Sequence, residues 1–246
     1  MILLNKPKYL TSFQTIQKFQ RENPKYADCK LGYVGTLDPM ATGLLIVLEN
    51  EENKQRKNYI GLTKTYEFEI LFGINTDSYD LLGLVNQIDT NYKEKIENLN
   101  LEQFEGKYEQ KYPLFSAKIV NGKRLYNLAR KNQITEQELP SYERNIISIQ
   151  KISENKISKT EIINNVKTAT ETVVGDFGQQ NILNSWLEQN AKMNDYYITV
   201  KLVAVVSSGT YIRRLCVDIA KKYNTYALAY SINRTKVGDF DVKNSI

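Results

Sequence analysis

The chain has 246 residues, enough for one substantial hydrophobic core, and its 41% hydrophobic and 25% charged residues are typical of a globular protein. It contains no histidine, which excludes serine–histidine, cysteine–histidine and histidine–metal chemistry. Its two cysteines, Cys29 and Cys216, have no metal-ligand spacing, so we expect reduced thiols in a cytoplasmic protein. We find no apolar run long enough for a membrane span and no secretory signal, and the net charge of +5 suits a polyanionic partner without identifying one.

The first third of the chain predicts a strand, a helix, a loop and two further strands. Residues 2–4 form an apolar strand, and Thr11 or Ser12 caps a helix that continues through Arg21 and ends before Pro24. The apolar side of that helix comprises Phe13, Ile16 and Phe19 or Gln20. Residues 44–48 are continuously apolar and predict a central strand, whereas residues 65–72 alternate and predict a half-exposed strand.

The middle of the chain is more polar and predicts mainly surface elements. Residues 92–106 predict a surface helix, followed by a loop through Pro113 and a short basic helix over residues 123–131. From about 150 to 194 the composition shifts toward polar residues, which we interpret as an insertion. Within it, helical spacing is shown by Ile182, Leu183, Trp186 and Leu187. This spacing predicts a helix docked on the body, and the alternative is a contact with RNA or with a partner.

In the last part of the chain, the sequence pattern of residues 197–206 predicts the clearest strand. A turn over residues 207–210 follows, and it opens a helix over residues 211–222.

A run at residues 32–45 contains a single carboxylate, Asp38, among glycines and a proline. Pro39 favours an extended Asp38, while Gly35 and Gly43 allow backbone angles that other residues resist. An Asp-Pro turn that caps a hairpin is the ordinary explanation of such a dipeptide. The full pattern is more specific, and it predicts an active-site loop that holds one acid in a tight turn.

Residues 32–43 resemble the active-site motif of the TruB family of tRNA pseudouridine synthases, Gly-His-x-Gly-x-Leu-Asp-Pro-x-Ala-x-Gly. Every fixed position matches except Tyr33, where the family usually has histidine. The resemblance covers residues 2–149 and 196–240, and its further blocks follow in the family's order: Asn5-Lys6-Pro7, Lys64-Thr65-Tyr66, Thr76-Asp77-Ser78-Tyr79-Asp80, Phe115-Ser116-Ala117-Lys118, Gly122-Lys123-Arg124-Leu125-Tyr126 and Gly209-Thr210-Tyr211-Ile212-Arg213. Ordered blocks are much harder to obtain by chance than one motif.

The resemblance implies three catalytic residues. Asp38 would be the catalytic aspartate, and Arg213 would form a bidentate ion pair with it. Tyr66 would stack on the target base, and its hydroxyl would help to remove the proton from C5. Taken alone, Arg213 would be a surface arginine and Tyr66 a packing residue of a strand.

The resemblance also implies a set of residues that contact the substrate. Tyr211 would line the same site, and Asp80 would contact tRNA or the flipped nucleotide, although core packing and a loop cap are their ordinary explanations. Tyr33 would stack against the disrupted T loop in place of the family's histidine. Expected phosphate contacts, each of which is more often a solvated surface charge, are Lys6, Lys118, Lys123 and Arg124.

The implied fold is α+β, the pseudouridine synthase fold, with a large mixed, mainly antiparallel sheet, flanking helices and a central active-site cleft. We expect one catalytic domain over residues 1–246, with no C-terminal PUA-type RNA-binding domain of the kind that many members carry. The implied reaction isomerises the T-loop uridine (position 55) of tRNA by base flipping and by cleaving and re-forming the glycosidic bond, with no cofactor and no metal.

The expected partner is the T arm of tRNA. We expect a monomer with no obligatory protein partner and no membrane association. The alternative function is a non-catalytic RNA-binding module or tRNA-folding chaperone on the same scaffold. Such a protein would need none of the three residues to which the resemblance assigns catalytic roles, Asp38, Tyr66 and Arg213.

Overall fold

The computed structural model describes residues 1–120 and 122–246. Its strands are β1 (Ile2–Lys6), β2 (Leu31–Val34), β3 (Thr42–Glu49), β4 (Lys64–Phe72), β5 (Ile74–Thr76), β6 (Val85–Ile88), β7 (Gly106–Lys111), β8 (Ile119–Val120), β9 (Lys123–Arg124), β10 (Ser141–Ser158), β11 (Tyr196–Val206), β12 (Ala227–Val237) and β13 (Phe240–Asp241). Its helices are α1 (Ser12–Glu22), α2 (Arg56–Ile60), α3 (Tyr92–Ile96), α4 (Leu125–Arg130), α5 (Lys159–Thr172), α6 (Gln179–Gln189) and α7 (Ile212–Lys222).

One large sheet organises the described residues. Its strand order is β1-β3-β12-β4-β11-β10-β7, with β2 also paired to β3 and β13 to β12. All of these pairs are antiparallel except β12 with β3. Two small hairpins, β5–β6 and β8–β9, lie outside it. The predicted α+β architecture with a mixed, mainly antiparallel sheet is confirmed.

The main core lies between the middle of this sheet and helix α7. Strand β4 is flanked by β12 and β11, and Phe68 and Ile70 on it are buried. Helix α7 buries Leu215 and Ile219, four residues apart and therefore on one side of the helix. Arg213, at the start of the same helix, is also buried. The packing of α7 against β12 thus fixes the position of an arginine deep in the molecule.

Most predicted elements are present, and the first helix has the predicted cap. The Thr11 hydroxyl accepts a hydrogen bond from the Gln14 amide, and the Gln14 side chain accepts one from the Thr11 amide. Ile16 and Phe19 are buried as predicted, but Phe13 is 58% exposed. The prediction for Phe13 was wrong because the buried side of the helix continues through Ser12 and Thr15 instead.

The long helix predicted over residues 92–106 was wrong. Only Tyr92–Ile96 is an α-helix, and Gly106 already begins strand β7, which pairs with β10 in the main sheet. The Tyr223 hydroxyl accepts from the Asn100 amide and donates to the Asn100 carbonyl, so this tertiary contact replaces the helical hydrogen bonds there. The predicted loop through Pro113 was wrong for the same segment, because Gly106–Lys111 is a strand.

Two further predictions need adjustment. The basic helix predicted over residues 123–131 begins only at Leu125, because Lys123–Arg124 pairs with Ile119–Val120 in a short hairpin. In the 150–194 segment, helix α6 is docked as predicted, with the Trp186 ring fully buried. Leu187, however, is 50% exposed.

Within residues 1–120 and 122–246, none of the helices combines the length and the apolar character that crossing a bilayer requires.

Candidate active site

The loop between β2 and β3 carries Asp38 in a turn that its glycines and proline permit. The Ala41 amide donates to the Asp38 carbonyl at 3.0 Å, which closes the turn around Pro39. Gly43 has φ +104°, and a Cβ there would lie 2.3 Å from the Arg234 carbonyl oxygen. Only glycine fits at this position, because the backbones of β3 and β12 come too close for any side chain.

The same loop is held from two sides. The Leu37 amide donates to the Ser12 hydroxyl at 2.9 Å, which ties the residue before Asp38 to the start of α1. The buried Arg234 guanidinium donates to the carbonyls of Leu44 and Gly35, both at 2.9 Å. Because these contacts hold both ends of the loop, the Asp38 side chain is presented from a fixed backbone.

A bidentate ion pair joins Asp38 to Arg213. Arg213 Nε lies 2.8 Å from Asp38 Oδ2, and Nη2 lies 2.9 Å from Oδ1. Two of the other guanidinium hydrogens donate to the carbonyls of Ser78 and Phe115, at 2.5 and 3.0 Å. Burial lowers the pKa of Arg213, but Asp38 and Asp80 outweigh burial and raise it above its ordinary value. The guanidinium therefore stays charged and positions the carboxylate with planar, two-point geometry.

Asp80 is the second carboxylate beside Arg213. Its Oδ2 lies 3.7 Å from Arg213 Nε, and its Oδ1 accepts from the Ser78 hydroxyl at 2.6 Å and from the Leu82 amide at 2.9 Å. Burial raises the pKa of Asp80 to about 6, although Arg213 and the Ser78 hydroxyl act in the opposite direction. The two carboxylates differ sharply in access, since the Asp38 side chain is 34% exposed and that of Asp80 only 6%.

Asp38 faces a cavity of about 1060 Å³ that is also lined by Tyr66, Asp80, Tyr211 and Arg213. Tyr66 lies in the centre of the main sheet, opposite Ala204 of β11, and is buried to 8% exposure. Tyr211 precedes α7, and burial raises the pKa of its hydroxyl. The structure thus brings together all three residues predicted as catalytic and two of those predicted to bind substrate. An acid in a fixed ion pair and two tyrosines around one cavity can bind a base and act on the sugar attached to it.

Residues 21–174 match the family model described as TruB family pseudouridylate synthase (N terminal domain), which covers more than half of the chain. The chain belongs to the TruB family. It is 34% identical over 251 residues to the tRNA pseudouridine synthase B of Mesoplasma florum, an alignment that covers 100% of this chain and 71% of that relative. It is 31% identical over 252 residues to the tRNA pseudouridine synthase B of Ureaplasma urealyticum serovar 10, covering 100% of this chain and 89% of that relative.

Two solved structures have a similar fold. A chain in the crystal structure of a Cbf5-Nop10-Gar1 complex has a TM-score of 0.57 at 19% identity, covering 98% of this chain and 49% of that one. A chain in the structure of an H/ACA RNP bound to a substrate RNA containing 2′-deoxyuridine has a TM-score of 0.56 at 18% identity, covering 100% and 50%. The TruB chain spans about half the length of these structural relatives, and the similarity shows the fold alone.

The burial of Lys6 argues against the contact with phosphate that was predicted for it. The side chain is fully buried, and Nζ donates to the carbonyls of Pro7, Leu10 and Pro39 at 2.8, 2.6 and 3.2 Å. Burial lowers the pKa of Lys6 to about 8, against the opposing effect of the nearby Asp38. Since three carbonyls take its three hydrogens, Lys6 supports the backbone of the active-site loop.

The other predicted substrate contacts lie outside the cavity. Tyr33 is half-buried on β2, opposite Val47, and its ring lies 6.0 Å from the Arg56 guanidinium. Lys118 lies over the rings of Tyr112 and Tyr142. The side chains of Lys123 and Arg124 are exposed on β9. Their contacts with RNA stay predictions.

Sequence reasoning missed two basic residues of the TruB site. Lys64 Nζ donates to the carbonyls of Ile60 and Leu62 and to the Ser208 hydroxyl, at 2.7, 2.6 and 3.0 Å, while the residue lines the cavity. Burial lowers its pKa to about 8, and the charge of Arg234 acts in the same direction. A usable signal existed, because Lys64 and Tyr66 are two apart on one strand and so lie on the same side of the sheet. The loop-holding role of Arg234 had no local signal.

Across the described residues, no group of three or more acidic or cysteine side chains is arranged to hold a metal ion.

Proposed function

We propose that this TruB family member isomerises the T-loop uridine at position 55 of tRNA to pseudouridine, with Asp38 as the catalytic carboxylate. The observation that carries the proposal is the half-exposed Asp38 carboxylate, held by the buried Arg213 guanidinium at the wall of a cavity of about 1060 Å³. The reaction takes place in the cytoplasm, where tRNA is processed. The names of the relatives, and their similarity over the whole of this chain, support tRNA as the substrate.

The reaction requires one correctly positioned carboxylate as its main catalytic group. The bond from N1 to the ribose C1′ breaks, the base rotates, and C5 joins C1′; C5 then loses a proton and N1 gains one. After the ion pair with Arg213, each oxygen of Asp38 keeps a lone pair for the substrate. Asp38 serves either by attacking C1′ or by removing a ribose proton, and both routes place the same carboxylate against the sugar.

Tyr66 is the residue that we assign to the base. Its ring lies in the cavity wall, where the extruded uracil can stack on it, as single-stranded bases commonly do on aromatic side chains. Its hydroxyl is placed to assist the removal of the C5 proton, by taking that proton as it passes its own to a neighbouring base or water. Tyr211 lines the same cavity and encloses the base from another side.

The buried charges argue against a purely binding function. Placing the Arg213 guanidinium beside Asp80 at 6% exposure costs a large desolvation energy, which the ion pairs only partly offset. A chaperone that merely holds tRNA gains nothing from such an arrangement. An enzyme gains a carboxylate in a fixed position, which supports catalysis over the non-catalytic alternative.

The proposal is tested by incubating the purified protein, with no cofactor added, with unmodified tRNA transcript that carries tritium at C5 of uridine. We expect release of one tritium per tRNA, and chemical mapping should locate pseudouridine at position 55. The matched control is the same transcript with cytidine at that position, from which no tritium should be released. Binding of the uridine transcript without tritium release would reject the enzyme and leave the chaperone function.

A second prediction follows from the buried Lys6. Lys6→Met leaves the carbonyls of Pro7 and Leu10 without this donor, while the Pro39 carbonyl keeps the Tyr9 amide, and each group left unsatisfied costs about 1–3 kcal/mol. We therefore expect lower stability and a kcat lowered by about tenfold through displacement of the Asp38 loop. The KM for tRNA and its dependence on salt should stay unchanged.

Lys123→Met is the comparison for that experiment, because Lys123 is exposed and predicted to contact phosphate. Its loss should lower the slope of log affinity against log salt by about 0.7–0.9 with little effect on kcat. A lowered salt slope in Lys6→Met, with kcat intact, would contradict the buried structural role.

A further inference from the structure

The cavity extends well past the catalytic centre. Its volume of about 1060 Å³ slightly exceeds the range for a single small-ligand site, about 300–1000 Å³. Asp38 and Tyr66 line one part, and Phe177 and Asn181 line another. The second part comes from the turn between α5 and α6 and from the first turn of α6, within the segment that the sequence predicts as an insertion. The cavity therefore offers room for more than the target nucleotide.

The α5–α6 turn is held against three separate parts of the molecule. The Gln14 side chain of α1 donates to the Val174 carbonyl at 3.2 Å, and Arg130 of α4 donates to the Asp176 carbonyl at 2.6 Å. The indole of Trp186 on α6 donates to the Gly83 carbonyl at 3.1 Å. These contacts fix the turn as a wall of the cavity.

The turn also packs against the active-site loop. Met40, two residues after Asp38, is buried in a cluster with Leu82 and with Ala169 and Val173 of the α5 region. Phe177 packs on the edge of this cluster and stays half-buried. One part of its ring is thus supported by the protein while the residue lines the cavity.

The chemistry of this wall suits a nucleobase better than a phosphate. An aromatic face stacks on bases, and an exposed amide such as that of Asn181 both donates to and accepts from base edges. Asp176 lines the same part of the cavity, and its negative charge opposes a phosphate there. Arg130 also lines the cavity and donates to the Asp176 carbonyl, so the opposite charges of Arg130 and Asp176 balance and leave no excess of positive charge to attract a phosphate there.

We propose that Phe177 and Asn181 form a second base-binding subsite, which takes the base of the nucleotide adjacent to the target uridine in the RNA. Phe177 supplies the stacking surface and Asn181 the contact to the base edge. The subsite rests on the proposed function, because it assigns a neighbour of the same substrate uridine. It gives the α5–α6 pair a role in selecting the sequence around the target.

The test combines enzyme variants with substrates that lack one base. Wild type, Asn181→Ala and Phe177→Leu are assayed by tritium release on intact tRNA and on tRNAs that are abasic on the 5′ or the 3′ side of the target. Phe177→Leu keeps apolar packing against Met40 and Leu82 but removes the ring. Matched controls are Asn184→Ala, exposed on the same helix, and Phe13→Leu, exposed on α1; neither residue lines the cavity.

We expect each subsite variant to lose about tenfold in kcat/KM on intact tRNA, with an unchanged melting temperature. Wild type should lose a similar factor on one of the two abasic substrates, and the variants should lose nothing further on that substrate. The control variants should behave like wild type. The subsite would be overturned if, on both abasic substrates, the loss in kcat/KM from the substitution multiplies the loss from the missing base. It would also be overturned if the variants match wild type in kcat/KM on intact tRNA.

The two proposals fail in different ways. If wild type releases no tritium from intact tRNA, the proposed function fails. The Kd values of the same variants and substrates, measured by filter binding, then decide the subsite. If the subsite exists, removing the base and removing the side chain together must weaken binding no more than either change alone. If wild type is active and the variants match it in both kcat/KM and Kd, the subsite alone is rejected.

Discussion

Asp38→Asn is expected to lower kcat by at least about 10⁴-fold while tRNA binding changes by less than about twofold. The amide keeps the shape of the side chain and one acceptor oxygen for Arg213, but it loses the carboxylate that both chemical routes require. Tritium release in single-turnover conditions measures the chemical step, and filter binding measures the affinity. A merely structural residue would affect both quantities together.

The stability of Asp38→Asn separates a catalytic loss from unfolding. Because the Asp38 side chain is 34% exposed, water can compensate part of the lost ion pair, and we expect a cost of about 1–2 kcal/mol. Asp28→Asn is the matched control, since Asp28 is exposed in the connection before β2 and should leave kcat unchanged. An Asp38→Asn protein that is folded and retains more than about a tenth of the wild-type kcat would remove Asp38 from the mechanism.

The active-site loop was predictable from sequence because its constraints are local. Gly35, Pro39 and Gly43 restrict the backbone around Asp38 within nine residues, so the pattern itself carries the geometry. The apolar strands were predictable for the same reason, since a period of two or a continuous apolar run is read within one segment. The Asp38–Arg213 pair, in contrast, joins residues 175 apart in sequence, and only the resemblance to a family linked them.

The failed predictions have a common physical cause, which is that tertiary contacts outweigh local patterns. Lys6 has the sequence character of a solvated cation, and only the folded chain brings the carbonyls of Leu10 and Pro39 to its Nζ. The helix predicted over residues 92–106 is interrupted where the Tyr223 hydroxyl holds Asn100. Periodicity predicted that the helix around Trp186 is docked, but it could not predict where. The docking position includes a hydrogen bond from the Trp186 indole to the Gly83 carbonyl, which only the folded chain brings within reach.

The second large effect is expected for Arg213→Met. Removing the guanidinium leaves Asp80 buried with no opposing charge nearby, and breaking a buried pair in this way costs about 3–5 kcal/mol. Loss of the two-point contact also frees the Asp38 side chain, so kcat should fall by at least about 100-fold. Urea unfolding and tritium release measure the two effects separately.

The pH dependence of stability identifies Asp80 as the source of that cost. In the wild type the pKa of Asp80 is raised from 3.8 to about 6, so the folded state holds a proton that the unfolded state releases, and stability falls as the pH rises from about 4 to about 6. Without Arg213 the pKa rises further and the window extends above pH 6. Arg213→Met should therefore be least stable relative to wild type at pH 8 and closest to it at pH 5.

The double variant Arg213→Met with Asp80→Asn completes the experiment. The asparagine still accepts hydrogen bonds from the Ser78 hydroxyl and the Leu82 amide but carries no charge, so it should restore most of the stability at pH 8 and flatten the pH dependence. Activity should not return, because Asp38 still lacks its partner. A stability deficit in Arg213→Met that is equal at pH 5 and pH 8, and that Asp80→Asn does not relieve, would show that the guanidinium is not balancing a buried carboxylate.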